Sequence, residues 1–300
     1  MKTHSWGGIF DREKTFPFLL VIPAVVLLTV ITVYPFVYNV WMSLRSYYLT
    51  SPQNSVWVGG RNYGTLLFKD TNFWGSLLRS AYFSGAAVTT EFLFGFVIAL
   101  LLNREFTGRN VLRVFLMLPL VATPIASVYV WRIMLNPSMG IINYFLRIVG
   151  LPTPEWIAGI NSAMPSVILV DVWQWTPFVA LILLAGLLSM PKAPFEAAKV
   201  DGCSTIQIFW HITMPLLKPI IGIVLVLRLM DSFKTFDIIY GLTGGGPIRV
   251  TETVNIYTYL TAFNNLDIGY ACTLSIVMLI VIILISLNLI KKFIVAELHT

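Results

Sequence analysis

Charge is what this sequence has least of. Only 11% of its 300 residues are Asp, Glu, Lys or Arg while 57% are hydrophobic, whereas soluble domains carry about a quarter charged residues. So few charges cannot keep that much apolar surface in water, which leaves lipid facing most of it and makes a soluble enzyme a poor fit. Cysteine is nearly missing too. Cys203 and Cys272 are too far apart to suggest a disulfide framework and neither belongs to a metal-spaced cluster, which argues against redox chemistry and a metal site. Histidine is limited to His4, His211 and His299, all outside the apolar runs, so a histidine-centred intramembrane enzyme is implausible. No Gly-x-x-x-x-Gly-Lys-Ser/Thr phosphate loop is present, so the chain does not hold ATP in that manner. Neither a fixed-period repeat nor a low-complexity tract appears, which excludes a solenoid or a disordered linker.

What is there is apolar length. Six stretches can cross a hydrocarbon core of about 30 Å, which takes roughly 20 helical residues: Phe16 to Trp41, Ala81 to Leu102, Val111 to Leu135, Ala163 to Leu188, Ile212 to Phe236 and Tyr270 to Ile290. The expectation is an all-α integral membrane protein with one domain, 16–293, between short tails at 1–15 and 294–300. The first run is longer than a secretory apolar region and lacks a small-residue cleavage pattern, so it reads as a retained helix.

The net charge of +6 would suit nucleic acid in a soluble chain, but basic residues in a membrane chain mark cytoplasmic loops. Lys2, Arg12, Lys14, Arg104, Arg109, Arg113, Lys192, Lys199, Lys218, Lys291 and Lys292 fall in the tails and in the loops after spans two and four. The opposite set, Arg45, Arg61, Lys69, Arg79, Arg147 and Arg249, is diluted by Asp70, Glu155, Asp237, Glu252 and Asp267. Both termini are therefore expected in the cytoplasm, and no nucleic acid is expected as a partner. Trp57, Tyr63, Trp74 and Trp156 in the external loops are of the kind that settle at the headgroup level.

The loop between spans four and five, 190–212, is heavily punctuated. Pro194 suits the first position of a helix, Glu196 its first turn, and Gly202 the left-handed residue that closes it. Ser204 or Thr205 can cap a second short helix, which Pro215 is expected to interrupt. The product is a helix-turn-helix with small Ala197 and Ala198 beside charged Glu196, Lys199 and Asp201.

Glu196-Ala197-Ala198, Gly202 and then Ile212 and Met214-Pro215 resemble the EAA signature of binding-protein-dependent ABC importer permeases. Met214 stands where that family usually has Leu, a volume-conserving change. Leu118-Pro119, Trp173, Pro177 and the stretch Leu242 to Pro247 followed by Thr251 look like the carbohydrate-uptake branch, similar to the maltose and glycerol-phosphate permeases. The resemblance implies a type I importer permease fold in a bacterial-type cytoplasmic membrane. It implies a heterodimer with a second, similar permease, two ATP-binding subunits that hold ATP and Mg, and an external solute-binding protein. Glu196, Ala197, Ala198, Asp201 and Gly202 would engage the ATP-hydrolysing subunit.

Ionisable residues inside a membrane normally face a cavity or one another. Asp171, Trp175 and Phe178 recur at i, i+4 and i+7 on one face of span four, an acid beside flat rings that suits a sugar-like solute. Arg228, Asp231, Ser232 and Thr235 share a face of span five, where Arg228 and Asp231 either pair with each other or both face the pore. By resemblance, these are substrate-lining faces. Span three adds Thr123, Ser127 and Trp131 along a stripe expected to be kinked by Pro119 and Pro124. Glu91 in span two reads as a structural partner, and Gly244 to Pro247 as a sharp external turn. A proton- or sodium-coupled secondary transporter relaying through Glu91, Asp171 and Asp231 is the alternative, and the EAA architecture speaks against it.

Overall fold

A computed structural model describes the backbone of residues 12–293 and the side chains from residue 20 onward. Most of the expected N-terminal tail, through residue 11, and the whole C-terminal tail, 294–300, lie outside the described residues.

In chain order the elements are α1 (Arg12–Ser43), β1 (Arg45–Ser46), β2 (Val56–Trp57), α2 (Arg61–Phe68), α3 (Thr71–Asn103), α4 (Arg109–Val121), α5 (Pro124–Met134) and α6 (Ile141–Ile148). There follow α7 (Ala163–Leu188), α8 (Ala193–Val200), α9 (Thr205–Ile208), a π turn at Phe209–Thr213, α10 (Met214–Lys234), α11 (Asp237–Thr243), α12 (Val254–Phe263) and α13 (Ile268–Phe293). Five helical segments are long and apolar enough to cross a membrane: Leu20–Ser43, Thr71–Asn103, Ala163–Leu188, Thr205–Lys234 and Ile268–Phe293. Taken together, α4 and α5 are also long and apolar enough but are bent by 97°, the geometry of a broken span or a re-entrant loop, so the described residues hold five spans, or six if this pair counts as one.

Two compact units share the chain, 12–69 with Thr261–Ile276 and Asp70–Leu260 with 277–293. In the first, β1 and β2 pair antiparallel, with Arg45 opposite Trp57. Asn62 donates to the carbonyls of Ser43 and Arg45, and Thr273 donates to Ser43 O at 3.0 Å. Gly269 lies so close to this turn that a Cβ there would meet Arg45 O at 2.2 Å.

The second unit is built on α3, α7 and α10. Helices in lipid gain little from apolar burial against one another, so close approach through small residues carries the packing. At Gly95 of α3 an added Cβ would sit 2.8 Å from Val179 Cγ1, and at Gly186 of α7 it would sit 2.6 Å from Ile220 Cδ1. Around these contacts Ala99, Leu102, Leu183, Leu187, Leu217 and Val224 form one buried cluster. A second cluster joins Phe83, Val128, Trp131, Val167 and Val170 to Ile238, Ile239 and Leu242 of α11.

The bend between α4 and α5 falls immediately before Pro124, one of the two prolines expected to kink this stretch, because a proline pushes the residue ahead of it out of the helical region. Pro119 lies inside α4 without breaking it, and Pro124 opens α5. The turn is made at Ala122 and Thr123, both extended, with the Thr123 hydroxyl accepting from Ala126 N. Pro124 suits the first turn of a new helix because its missing N–H has no partner there anyway. Freed backbone is tolerated at membrane depth where protein covers it, and Gln174 Nε2 donates to Ala122 O at 3.3 Å.

Pro215 does not interrupt its helix either. Met214 N donates to Phe209 O, five residues back, and α10 continues directly from the π turn. A proline offers the preceding turn no N–H, and one widened turn absorbs that without ending the helix.

Replacing Gly95 with Leu forces α3 and α7 apart and is expected to destabilise the protein by about 1–3 kcal/mol. Gly85, whose added Cβ would meet nothing within 4 Å, is the control as Ala. Thermal unfolding of the detergent-solubilised protein should fall for the first and hold for the second.

Candidate functional site

The most buried large side chain is charged. Arg228 of α10 has no solvent exposure, and neither do Glu91 of α3 nor Asp171 of α7. Arg228 Nε donates to Glu91 Oε2 at 2.6 Å and Nη2 to Glu91 Oε1 at 2.8 Å, a two-pronged pairing. Nη2 also reaches Asp171 Oδ2 at 3.1 Å, and the Trp175 ring lies 4.6 Å from the guanidinium carbon. Fork-shaped guanidinium–carboxylate pairs are the strongest of their kind, and ring faces attract cations further. Arg228 and Glu91 neutralise each other, so Asp171 is the carboxylate in excess. Asp171 Oδ1 and Arg228 Nη1 have no hydrogen-bond partner among the described residues. The pair thus leaves one acceptor and one donor over, beside an aromatic face.

Arg228 does not pair with Asp231, one of the two alternatives the sequence left open. Asp231 instead bonds Lys234 at 3.0 Å, with both side chains well exposed. The physical reason is depth: a buried guanidinium needs full compensation, which two carboxylates from neighbouring helices supply. Sequence spacing shows only partners on the same helix, so the partnership of Glu91, 137 residues away from Arg228, has no periodic signature. Glu91 does take the structural partner expected for it.

The remaining lining candidates separate. Trp175 and Phe178 are half-buried and meet edge-on with centroids 6.0 Å apart. Ser232 is buried, and Thr235 ends α10 with its hydroxyl donating to Asp231 O at 3.3 Å. Thr123 is exposed as the cap of α5, while Ser127 and Trp131 are buried on that helix. Among the described residues, no three His, Cys, Asp or Glu side chains gather into a metal-binding group.

The loop 190–212 folds as its punctuation implies. Pro194 lies in the first turn of α8, and Gly202, at φ +75°, closes it. Cys203 N donates to Ala198 O and Gly202 N to Lys199 O, a closed helix end that needs a left-handed residue at Gly202. Ser204 and Gln207 then cap α9 reciprocally. Of the residues picked out here, Glu196, Ala197, Asp201 and Gly202 are exposed, whereas Ala198 turns inward.

A profile of the family described as "Binding-protein-dependent transport system inner membrane component" matches residues 91–299, which include the charged cluster and the α8 loop. The chain belongs to this family. The permease is 35% identical over 280 residues to the trehalose/maltose transport system permease protein MalF of Thermococcus litoralis, covering 93% of this chain and 94% of that one. It is 34% identical to the sulfoquinovosyl glycerol transport system permease protein SmoG of Agrobacterium fabrum, covering 91% and 88%. Its fold is that of a chain in a bacterial ABC transporter that imports the acidic polysaccharide alginate, with TM-score 0.81, 21% identity and 94% and 96% coverage. The permease fold expected from the sequence is therefore the observed one.

A further polar cluster in the same unit escaped the sequence reading. Glu252, almost fully buried, takes both prongs of Arg249, Ser76 donates to it at 3.2 Å, and Arg79 Nε donates to its carbonyl at 2.9 Å. The hydrogen bond to Glu252 raises the Arg249 pKa against the opposing effect of burial. Burial, with a hydrogen bond donated to Asp70, raises that of Tyr257. This cluster backs the turn at Gly244 and Gly245, whose φ of +61° and +93° suit glycine.

Arg228→Met leaves two buried carboxylates without a counter-charge and is expected to cost about 3–5 kcal/mol. Asp171→Asn keeps the Arg228–Glu91 fork intact and should be much milder. Thermal unfolding and membrane abundance of the two variants check the ordering.

Proposed function

We propose that the permease forms half of the passage through which an ABC importer moves a sugar or sugar-like solute, driven by ATP hydrolysed in separate subunits. The observation that carries this is the α8 loop: a proline-started, glycine-closed helix that exposes Glu196, Ala197, Asp201 and Gly202. Two ATP-binding subunits would hold ATP and Mg, and one of them would receive α8 in a cleft. Its closure would reach the passage through the continuous segment from Thr205 to Lys234. A second, homologous permease completes the passage, and an external solute-binding protein delivers the solute. The α8 loop and both termini lie on the cytoplasmic side in this reading, in keeping with the excess of Lys and Arg there.

The sugar class rests on the relatives named for trehalose, maltose and sulfoquinovosyl glycerol and on the chemistry at Asp171. A carboxylate oxygen and a guanidinium nitrogen, both buried and unpartnered among the described residues, would match an acceptor–donor pair of sugar hydroxyls once the helices part around them, with Trp175 and Phe178 offering rings to a pyranose C–H face. Asp231, Ser232, Thr235 and Thr123 are the further lining residues of this reading.

Glu196→Ala and Gly202→Asp are expected to abolish coupling while the protein still reaches the membrane, because both change the exposed face of α8 and leave the spans untouched. Normal uptake together with normal solute-stimulated ATP hydrolysis in the reconstituted complex would contradict the assignment. Asp171→Ala is expected to raise the half-saturating solute concentration about tenfold, roughly the worth of one hydrogen bond to a charged group. Unchanged affinity would remove Asp171 from the solute's path.

A further inference from the structure

Three aromatic rings meet just beyond the end of α10. Phe236 and Tyr240 stack nearly parallel, 13° apart with centroids at 5.1 Å. Tyr259 of α12 lies across both, 5.1 Å from Phe236 and 4.9 Å from Tyr240. The two phenols hydrogen-bond each other, which raises the Tyr259 pKa. Residues Ile238, Ile239 and Leu242 of α11 are buried in the cluster against which Phe236 packs, so the platform stands on rigid core. Tyr240 remains 39% exposed, and Phe236 and Tyr259 are partly open.

Here the rings pack on one another, and polar groups sit next to them along the chain. Lys234 and Asp231 form an exposed ion pair, the Thr235 hydroxyl lies between that pair and Phe236, and Asn255, one helical turn before Tyr259, donates to Phe233 O. Flat ring faces with charged and amide groups at their edge fit a ligand with C–H faces and a rim of hydroxyls.

The position along α10 gives the platform its place in the path. Thr205–Lys234 crosses from the side of the α8 loop to the opposite side, and Lys234 lies roughly 9 Å beyond Arg228 at the helical rise per residue. A solute entering from the side opposite α8 meets these rings before it reaches Arg228 and Asp171.

We propose that Phe236, Tyr240 and Tyr259 form an entry subsite that stacks a saccharide ring on its way toward Asp171 and Arg228. This rests on the sugar reading above. Two occupied ring positions favour solutes of two or more sugar units, because one unit can hold the outer rings while the next reaches Asp171 and Arg228.

The test uses the complete complex, reconstituted with its binding protein and ATP-hydrolysing subunits, and trehalose, maltose and sulfoquinovosyl glycerol as probes. If none of the three raises ATP hydrolysis by the wild-type complex, the sugar reading fails and the subsite with it. Where one does, Tyr259→Leu keeps the bulk and removes the ring face, and Tyr259→Trp restores a ring. The half-saturating concentration for that sugar should rise about tenfold in the leucine variant, the loss expected when a stacked ring is removed. It should return to within about twofold of wild type in the tryptophan variant. Fluorine-labelled tyrosine at position 240 supplies a readout without turnover, with its resonance shifting on addition of the same sugar. A leucine variant with wild-type affinity, or a Tyr240 resonance unmoved by a sugar that drives transport, overturns the subsite and leaves the importer reading standing. A leucine variant that fails to assemble transfers the decision to the Tyr240 resonance in the otherwise unaltered complex.

Discussion

A guanidinium sealed away from water between three membrane helices has few stable arrangements, and the rest of the second unit is organised around the one that Arg228 adopts. Apolar side chains do not hold α3, α7 and α10 together strongly, because lipid tails solvate them about as well as neighbouring helices do. Gly95 and Gly186 let the backbones come close, but close approach alone allows sliding. The fork between Arg228 and Glu91 and the bond to Asp171 fix the register of all three helices at one level, because displacement by a turn would leave charge uncompensated in a low dielectric.

That arrangement also separates two roles that look alike in sequence. Glu91 and Asp171 are both acids in apolar helices, yet one completes the fork while the other retains an oxygen with no partner among the described residues. The two acids thus differ in how fully the same arginine satisfies them. The third span adds a different solution to the same constraint. Its sharp bend frees backbone at membrane depth, and the side chains of Thr123 and Gln174 take up an amide and a carbonyl at the break.

Much of this was legible from residue order. Apolar runs marked the spans, the period of 3.6 put Asp171, Trp175 and Phe178 together, and Pro194, Gly202 and Ser204 outlined the helices of the α8 loop, all through local rules. What was illegible depends on groups far apart in the chain. Spacing left Asp231 open as a partner of Arg228, whereas the partners it takes, Glu91 and Asp171, lie on two other helices. Proline positions pointed to kinks at Pro119 and Pro124, and the break does fall directly before Pro124, whereas Pro119 lies within an unbroken α4. The packing of Phe236, Tyr240 and Tyr259 joins α11 to α12, and half of it has no counterpart in local spacing.

The widened turn at Phe209–Thr213 sets a rule for how the surface loop and α10 are joined. One residue of helix corresponds to about 100° of rotation, so the extra residue accommodated there fixes the azimuth at which Arg228 and Asp231 leave α10 relative to the exposed face of α8. Evolution can therefore exchange side chains along this connection freely, but its length is constrained by angle rather than by reach. A single added or lost residue between Ser204 and Met214 would turn Arg228 away from Glu91 and Asp171.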